Sequence, residues 1–244
     1  MKLRVLRTLL AAVTLSVAGA SQAIIVDFEG TIDTTFATFA PQLGHTDEIV
    51  NKGFYVAAIS NAPAPAAGDL VGSILNGTDL ADSCAGLVCP TNNSGTFLAS
   101  LNDGIFIVGS TDSALFRFAG FDASFIGAAG VALSSSPGAV RLQGFRADNT
   151  FLTQTFFLSG PSSTGALGFG RYATTGAFAT TLFAQVYMFG FACPLVGNCS
   201  AFSTNQAQFA IDNLNVNPIP EPSTWMLMIG GLIAAAVVAR RRKA

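Results

Sequence analysis

The chain has one histidine in 244 residues, His45, within Gly44-His45-Thr46-Asp47-Glu48. To act as a general base or a metal ligand it would need partners from elsewhere, and taken alone it reads as a solvated loop residue. There is no G-x-S-x-G elbow, no H-E-x-x-H pair and no phosphate-binding glycine loop. Paired carboxylates can cleave glycosides, but here the acids are spread singly over turn-like segments, the pattern of a solvated surface. The chain is therefore expected not to be an enzyme, with a secreted hydrolase the least favoured reading. No cofactor is expected beyond the metal ion considered below.

The four cysteines are spaced as Cys84-x4-Cys89 and Cys193-x5-Cys199, each pair in a segment of small and turn-forming residues. Three connectivities are possible. The local one, Cys84–Cys89 and Cys193–Cys199, is expected because each pair is close in sequence. Closing such short loops stabilises by about 2 kcal/mol on the chain-entropy model. A zinc site would need C-x2-C spacing or a neighbouring histidine, and neither pair has them.

These residues must be positioned by strands. From 24 to 217, short runs of Phe, Val, Ile, Leu and Thr alternate with Gly, Ser, Asn and Pro. Candidate strands are 24–28, 54–60, 96–101, 105–108, 114–118, 121–126, 130–133, 140–145, 151–158, 180–189 and 208–216. Asp103-Gly104 and Asp148-Asn149 read as hairpin turns. The stretch 61–95, rich in Pro, Ala, Gly, Asn and Asp and holding the first cysteine pair, reads as a long insertion. Many short strands without helical periodicity predict an all-β fold, a β-sandwich of jelly-roll type. Within 24–217 there are five basic and thirteen acidic residues, a net charge of −8. That excludes nucleic acid as a partner, since it requires clustered Lys and Arg. The region has no Trp and three Tyr, namely Tyr55, Tyr172 and Tyr187, the last read as core. Nearly all its aromatic content is Phe, which belongs in cores, and this weakens a sugar-stacking reading.

Both ends differ from the middle. Lys2, Arg4 and Arg7 precede an apolar run, and Ser21-Gln22-Ala23 has the small-x-small form of a signal-peptidase site. Residues 1–23 are read as a signal peptide and 24–217 as the exported domain. Residues 218–244 follow as Pro218-Ile219-Pro220-Glu221-Pro222-Ser223-Thr224, an uncharged run from Trp225 to Ala239, then Arg240, Arg241, Arg242, Lys243 and Ala244. Fifteen helical residues span roughly 23 Å of a roughly 30 Å hydrocarbon core. Arg240 can snorkel at one interface and Trp225 suits the other. The basic cluster marks the cytoplasmic side by the positive-inside rule. One C-terminal transmembrane helix in the inner membrane is the expectation, and a plain anchor without processing is the alternative.

The order of motif, apolar segment and basic stop resembles the PEP-CTERM sorting signal of bacterial envelope proteins. Gln208-Phe209-Ala210-Ile211-Asp212 matches the Q-F-x-x-D motif of a subgroup. The resemblance implies export, cleavage beside Pro220-Glu221-Pro222 by exosortase after signal peptidase has acted, and delivery to the cell surface or extracellular matrix. A structural or adhesive component of an exopolysaccharide or biofilm matrix is the first reading. A carbohydrate-binding module of the envelope is the alternative. In the last strand Phe209 and Ile211 share one parity, Leu214 and Val216 the other, so a β-bulge is expected at Asp212-Asn213. The arrangement also resembles jelly-roll carbohydrate-binding modules, in which first and last strands are neighbours sharing a structural calcium. Carboxylates suit that ion, and Asp27, Glu29 and Asp212 are its expected ligands.

Overall fold

A computed structural model describes residues 23–29, 42–84, 86–219 and 230–232. Its strands are β1 (Ile24–Val26), β2 (Gln42–Gly44), β3 (Glu48–Asn51), β4 (Phe54–Ile59), β5 (Leu70–Asn76), β6 (Leu87–Val88), β7 (Thr96–Ser100) and β8 (Ile105–Ser110). They continue with β9 (Phe116–Phe125), β10 (Gly127–Ala128), β11 (Gly138–Phe145), β12 (Phe151–Leu158), β13 (Gly170–Ala173), β14 (Gln185–Ala192) and β15 (Phe209–Pro218). Among the described residues there are also two short helices, α1 (Leu80–Ser83) and α2 (Gly176–Thr180), and residues 230–232 are helical. The fold is mostly β, with antiparallel sheets arranged as a β-sandwich. Among the described residues no helix is long and apolar enough to cross a membrane. The signal peptide, Pro220, Glu221, Pro222 and the basic stop Arg240 to Lys243 lie outside the described residues. So does the expected membrane helix, save Gly230, Gly231 and Leu232.

One large sheet runs β13-β9-β15-β7-β5-β2, with β1 also on β15; the second runs β12-β11-β14-β8-β4-β3, and β6 and β10 pair in a small sheet of their own. We call the two large sheets the β15 sheet and the β14 sheet. Period-2 alternation explains the space between them. Val140 and Leu142, Val186 and Met188, Phe106 and Val108 face inward from the β14 sheet. They meet Phe116, Phe118, Leu98, Phe209 and Ile211 from the β15 sheet. Edge-to-face rings join the layers, Phe54 with Phe116 at 5.3 Å and Phe106 with Phe209 at 6.0 Å. A smaller cluster of Leu75, Cys84, Cys89, Phe97, Ile126 and Ala210, with Leu80 and Leu87 against it, covers part of the outer face of the β15 sheet.

The outer face of the β14 sheet is read from its register. One row across the strands is Phe151, Phe145, Gln185, Gly109, Tyr55 and Val50; the next is Thr153, Gln143, Tyr187, Ile107, Ala57 and Glu48. A third is Thr155, Arg141, Phe189, Ile105 and Ile59. Tyr187, read above as core, therefore lies on this outer face.

Several expectations are corrected. The segment 61–95 is no insertion, because it supplies β5, an interior strand of the β15 sheet. The Asn102-Asp103 turn, both residues at φ +54°, connects β7 to β8 in different sheets and is not a hairpin. Its Asp103 is buried and accepts N–H bonds from Ala207 and Asn205, pinning a distant loop. Residues 130–133 form no strand, and 114–118 and 121–126 are parts of one strand, β9. The Asp148-Asn149 turn does close the β11–β12 hairpin, with Asn149 at φ +62°.

Candidate functional site

β15 is the hub of its sheet. It pairs with β9 along one side; on the other it pairs with β7 through residues 209–211 and with β1 through 214–216. The register is irregular between Asp212 and Val216, and Asn213 adopts φ +50°. Phe209 and Ile211 face the core before this point, Leu214 and Val216 after it. The bulge therefore stands where the alternation of the sequence slips. It also lies at the gap between β7 and β1, so side chains from several elements converge there.

The resulting cleft holds about 680 Å³. Asp122 of β9 and Asp212 and Asn213 of β15 form its floor, Asp27 and Glu29 after β1 one wall, Asn92 to Gly95 a second, and Phe169 to Arg171 a third. The second wall follows the Cys84–Cys89 disulfide, which is formed as expected, as is Cys193–Cys199. Pro90 then lies opposite Leu167, and the Thr91 N–H donates to the Leu167 carbonyl, carrying the loop across to the cleft.

Asp212 and Asp122 sit directly opposite one another in the ladder. Like charges in that position repel, and surrounding donors offset the repulsion. Asn93 Nδ2 donates to Asp212 Oδ2 at 2.8 Å, and the Asn213 N–H donates to its Oδ1 at 2.7 Å. Asn213 Nδ2 donates to Asp122 Oδ2 at 3.0 Å, and Arg171 Nε to its Oδ1 at 3.1 Å. Burial pushes the Asp212 carboxyl above the usual range; the two amide donors oppose the shift, and the charges of Glu29 and Asp122 add to it. Glu29 Oε1 accepts the Thr96 N–H at 2.7 Å. A Cβ on Gly95 would collide with that carboxylate, so a larger residue there would displace the Glu29 side chain from its bond to Thr96.

Asp27, Glu29 and Asp212 thus share one cleft, but with divided attention. Asp27 bonds to Lys52 Nζ at 2.6 Å, and Glu29 and Asp212 are held by the donors above. Among the described residues no three His, Cys, Asp or Glu side chains are gathered in a group that could hold a metal ion. Sequence reasoning missed Asp122, Asn93 and Arg171, and it placed Asn213 at the bulge without assigning it to the site. Of the three, only Asp122 had a signal, its outward parity in β9. His45 lies elsewhere, half-buried, with Nδ1 accepting the Ser60 N–H at 3.0 Å. That bond gives it a structural use.

Two solved structures are similar in part. One is described as TmCBM61 in complex with beta-1,4-galactotriose, at 6% identity and TM-score 0.33, covering 75% of this chain and 98% of that one. The other is the enzymatically active domain of Bacteriophage CBA120 tailspike protein 4, at 9% identity and TM-score 0.30, covering 69% of this chain and 20% of that one. A search of curated proteins found no sequence match. Residues 218–243 match the PEP-CTERM protein-sorting motif, so the chain carries the signal of an exported protein that is transiently anchored in a membrane and processed by exosortase.

Proposed function

We propose that this protein is a structural or adhesive component of the cell surface or extracellular matrix, without catalytic activity. The match of residues 218–243 to the sorting motif carries this reading. In it, residues 1–23 are a removed signal peptide, 24–217 a jelly-roll-like domain, and 225–239 a single membrane helix stopped by Arg240 to Lys243 in the inner membrane. Proline at 220 and 222 disfavours helix and sheet pairing, which suits a protease substrate. C-terminal mass analysis of the protein from exosortase-positive cells tests this. Loss of residues beyond the Pro220-Glu221-Pro222 region is expected. Retention of Arg240 to Ala244 would reduce the segment to a plain anchor.

Glycan binding is the second reading, and the cleft is the observation that favours it. Its carboxylates accept, and its amides and Arg171 donate, the hydrogen bonds that sugar hydroxyls make. Retention of the purified protein on the producer's exopolysaccharide, lost in Asn93→Ala, would support it. Equal retention of wild type and variant would remove it. A structural calcium bound through Asp27, Glu29 and Asp212 would offset the burial, and the lesser repulsion from Glu29 and Asp122, that raise the Asp212 pKa. It would do so by displacing the Lys52 and Thr96 partners. Thermal melts with EDTA and with added calcium decide this. An unchanged Tm, with no calcium by elemental analysis, eliminates the ion.

A further inference from the structure

The six strands of the β14 sheet contain one acidic residue, Glu48, and one basic residue, Arg141. Yet 24–217 as a whole carries a net −8. The outer face of this sheet is therefore the neutral side of an acidic domain, and its middle is apolar, with Gln143, Thr153, Thr155, Arg141 and Glu48 around it. Phe145, Tyr187, Phe189, Ile105 and Ile107 are half-buried there by one another, while Phe151 and Phe157 are 55% and 64% exposed. The smaller cluster lies on the other sheet, and α2 contacts β9 and β12. Phe202 reaches the rim beside Phe189. Otherwise no described element covers the face. Contiguous apolar surface of several hundred Å² on a soluble domain marks an interaction site.

We propose that this face is a self-association surface, on which two copies of the chain pack about a twofold axis running along the strands between β14 and β8. Three observations select a second copy as the occupant. The first is area. Six strands about 4.8 Å apart and three to four rows about 6.8 Å apart give, with rim side chains, roughly 600–800 Å². That is close to the roughly 800 Å² per partner of a standard interface. The second is shape. The β12-β11-β14 half is bulky with Phe151, Phe145, Tyr187 and Phe189, while the β8-β4-β3 half is lower, with Ile105, Ile107, Ala57 and Val50, its one ring, Tyr55, being drawn over Gly109 with its hydroxyl accepting from Gln185. A twofold along the strands lays each bulky half over the other copy's low half, as interdigitating sheets require. The third is charge. The same axis brings Arg141 on β11 over the β4–β3 edge that carries Glu48. Arg141 is already held against Phe191, 4.7 Å from the ring centroid, and on Thr155 Oγ1. Burial on this face pushes the Glu48 carboxyl up, so each charge gains from meeting the other.

This deepens the structural reading above and rests on it, since a matrix component that self-associates can bridge. The two fail separately, because sedimentation reads association whatever happens to the C-terminus. The protein exported by exosortase-positive cells is examined by sedimentation velocity at roughly 50 µM, above a micromolar dissociation constant. Wild type is expected as a dimer. Ile107→Lys, at the centre of the face, should be monomeric with its thermal melt still cooperative. Arg141→Glu and Glu48→Arg should each weaken the dimer about tenfold, and the double exchange should restore it. A monomeric wild type overturns the proposal, as does Ile107→Lys remaining a dimer. So does a wild type that stays monomeric yet loses exopolysaccharide binding on Tyr187→Ala, which would make the face a glycan platform. Failure of the double exchange to rescue overturns the axis.

Discussion

The two outer faces of the sandwich are built from strands of similar length and composition, yet they differ in kind. The β15 sheet turns Asp122, Asp212 and Asn215 outward and ends in a polar cleft. The β14 sheet turns out Phe145, Tyr187, Phe189 and Ile107. Both sheets share one core, so alternation fixes only which residues face each other across it. Charge placement decides what each remaining face does. A carboxylate pair in register needs donors around it and so produces a cleft; a face whose only charges are Glu48 and Arg141 needs chiefly cover.

Four experiments break or sharpen this contrast. The largest effect is expected where the faces depend on the same residues. Phe106→Ala removes the ring against Phe209 and should cost about 3–5 kcal/mol, as buried Phe truncations do. Denaturant unfolding should show both faces lost in one transition. Next is an asymmetry between the disulfides. Cys84 and Cys89 are buried in the smaller cluster, whereas Leu195 and Val196 in the Cys193–Cys199 loop are 64% and 90% exposed. Cys84→Ala with Cys89→Ala should cost about 2 kcal/mol or more and loosen the Asn92–Asn93 wall. The same change at Cys193 and Cys199 should cost less, and comparing the two melts checks the order.

The third experiment concerns pH. The folded-state pKa of Asp212 is raised, so the folded domain binds its proton more tightly than the unfolded chain does. Its contribution to stability is present below the ordinary carboxylate range and is lost as pH rises through the folded value. Melts between pH 4 and 7 should show that slope flattened by Asp212→Asn. An unchanged slope would mean the burial of this group is not felt. The smallest effect belongs to Arg171→Ala. Its side chain is 83% exposed, and removing the ion pair should leave the thermal melt nearly unchanged, since solvent screens such pairs.

Local patterns in the sequence located what local forces build. β12 occupies the residues its run of Phe, Leu and Thr marks, and the slip between Ile211 and Leu214 marks the bulge. Where context decides, the sequence misleads. Leu70–Asn76 was hidden because its Pro- and Gly-rich flanks look like a loop, although Val71 and Leu75 are buried strand residues. Asn102-Asp103 has turn chemistry, but which sheets the flanking strands join depends on partners dozens of residues away. The cleft was half legible for the same reason. Asp27, Glu29 and Asp212 came from the two ends, while Asp122 and Asn93 arrive through pairings that no local window contains.

The central position of β15 also sets an order of events. More than 200 residues precede this strand, and β9, β7 and β1 all bond to it. The β15 sheet cannot close until its last-made strand has emerged, so the contacts that complete it span the greatest sequence separation in the domain and form late. Until then β9 and β7 present bare edges. On the export route proposed above, a chain threaded across a membrane from its N-terminus would reach its finished form only when the residues next to the sorting motif come through. Completion of the domain then coincides with arrival of the segment to be cut.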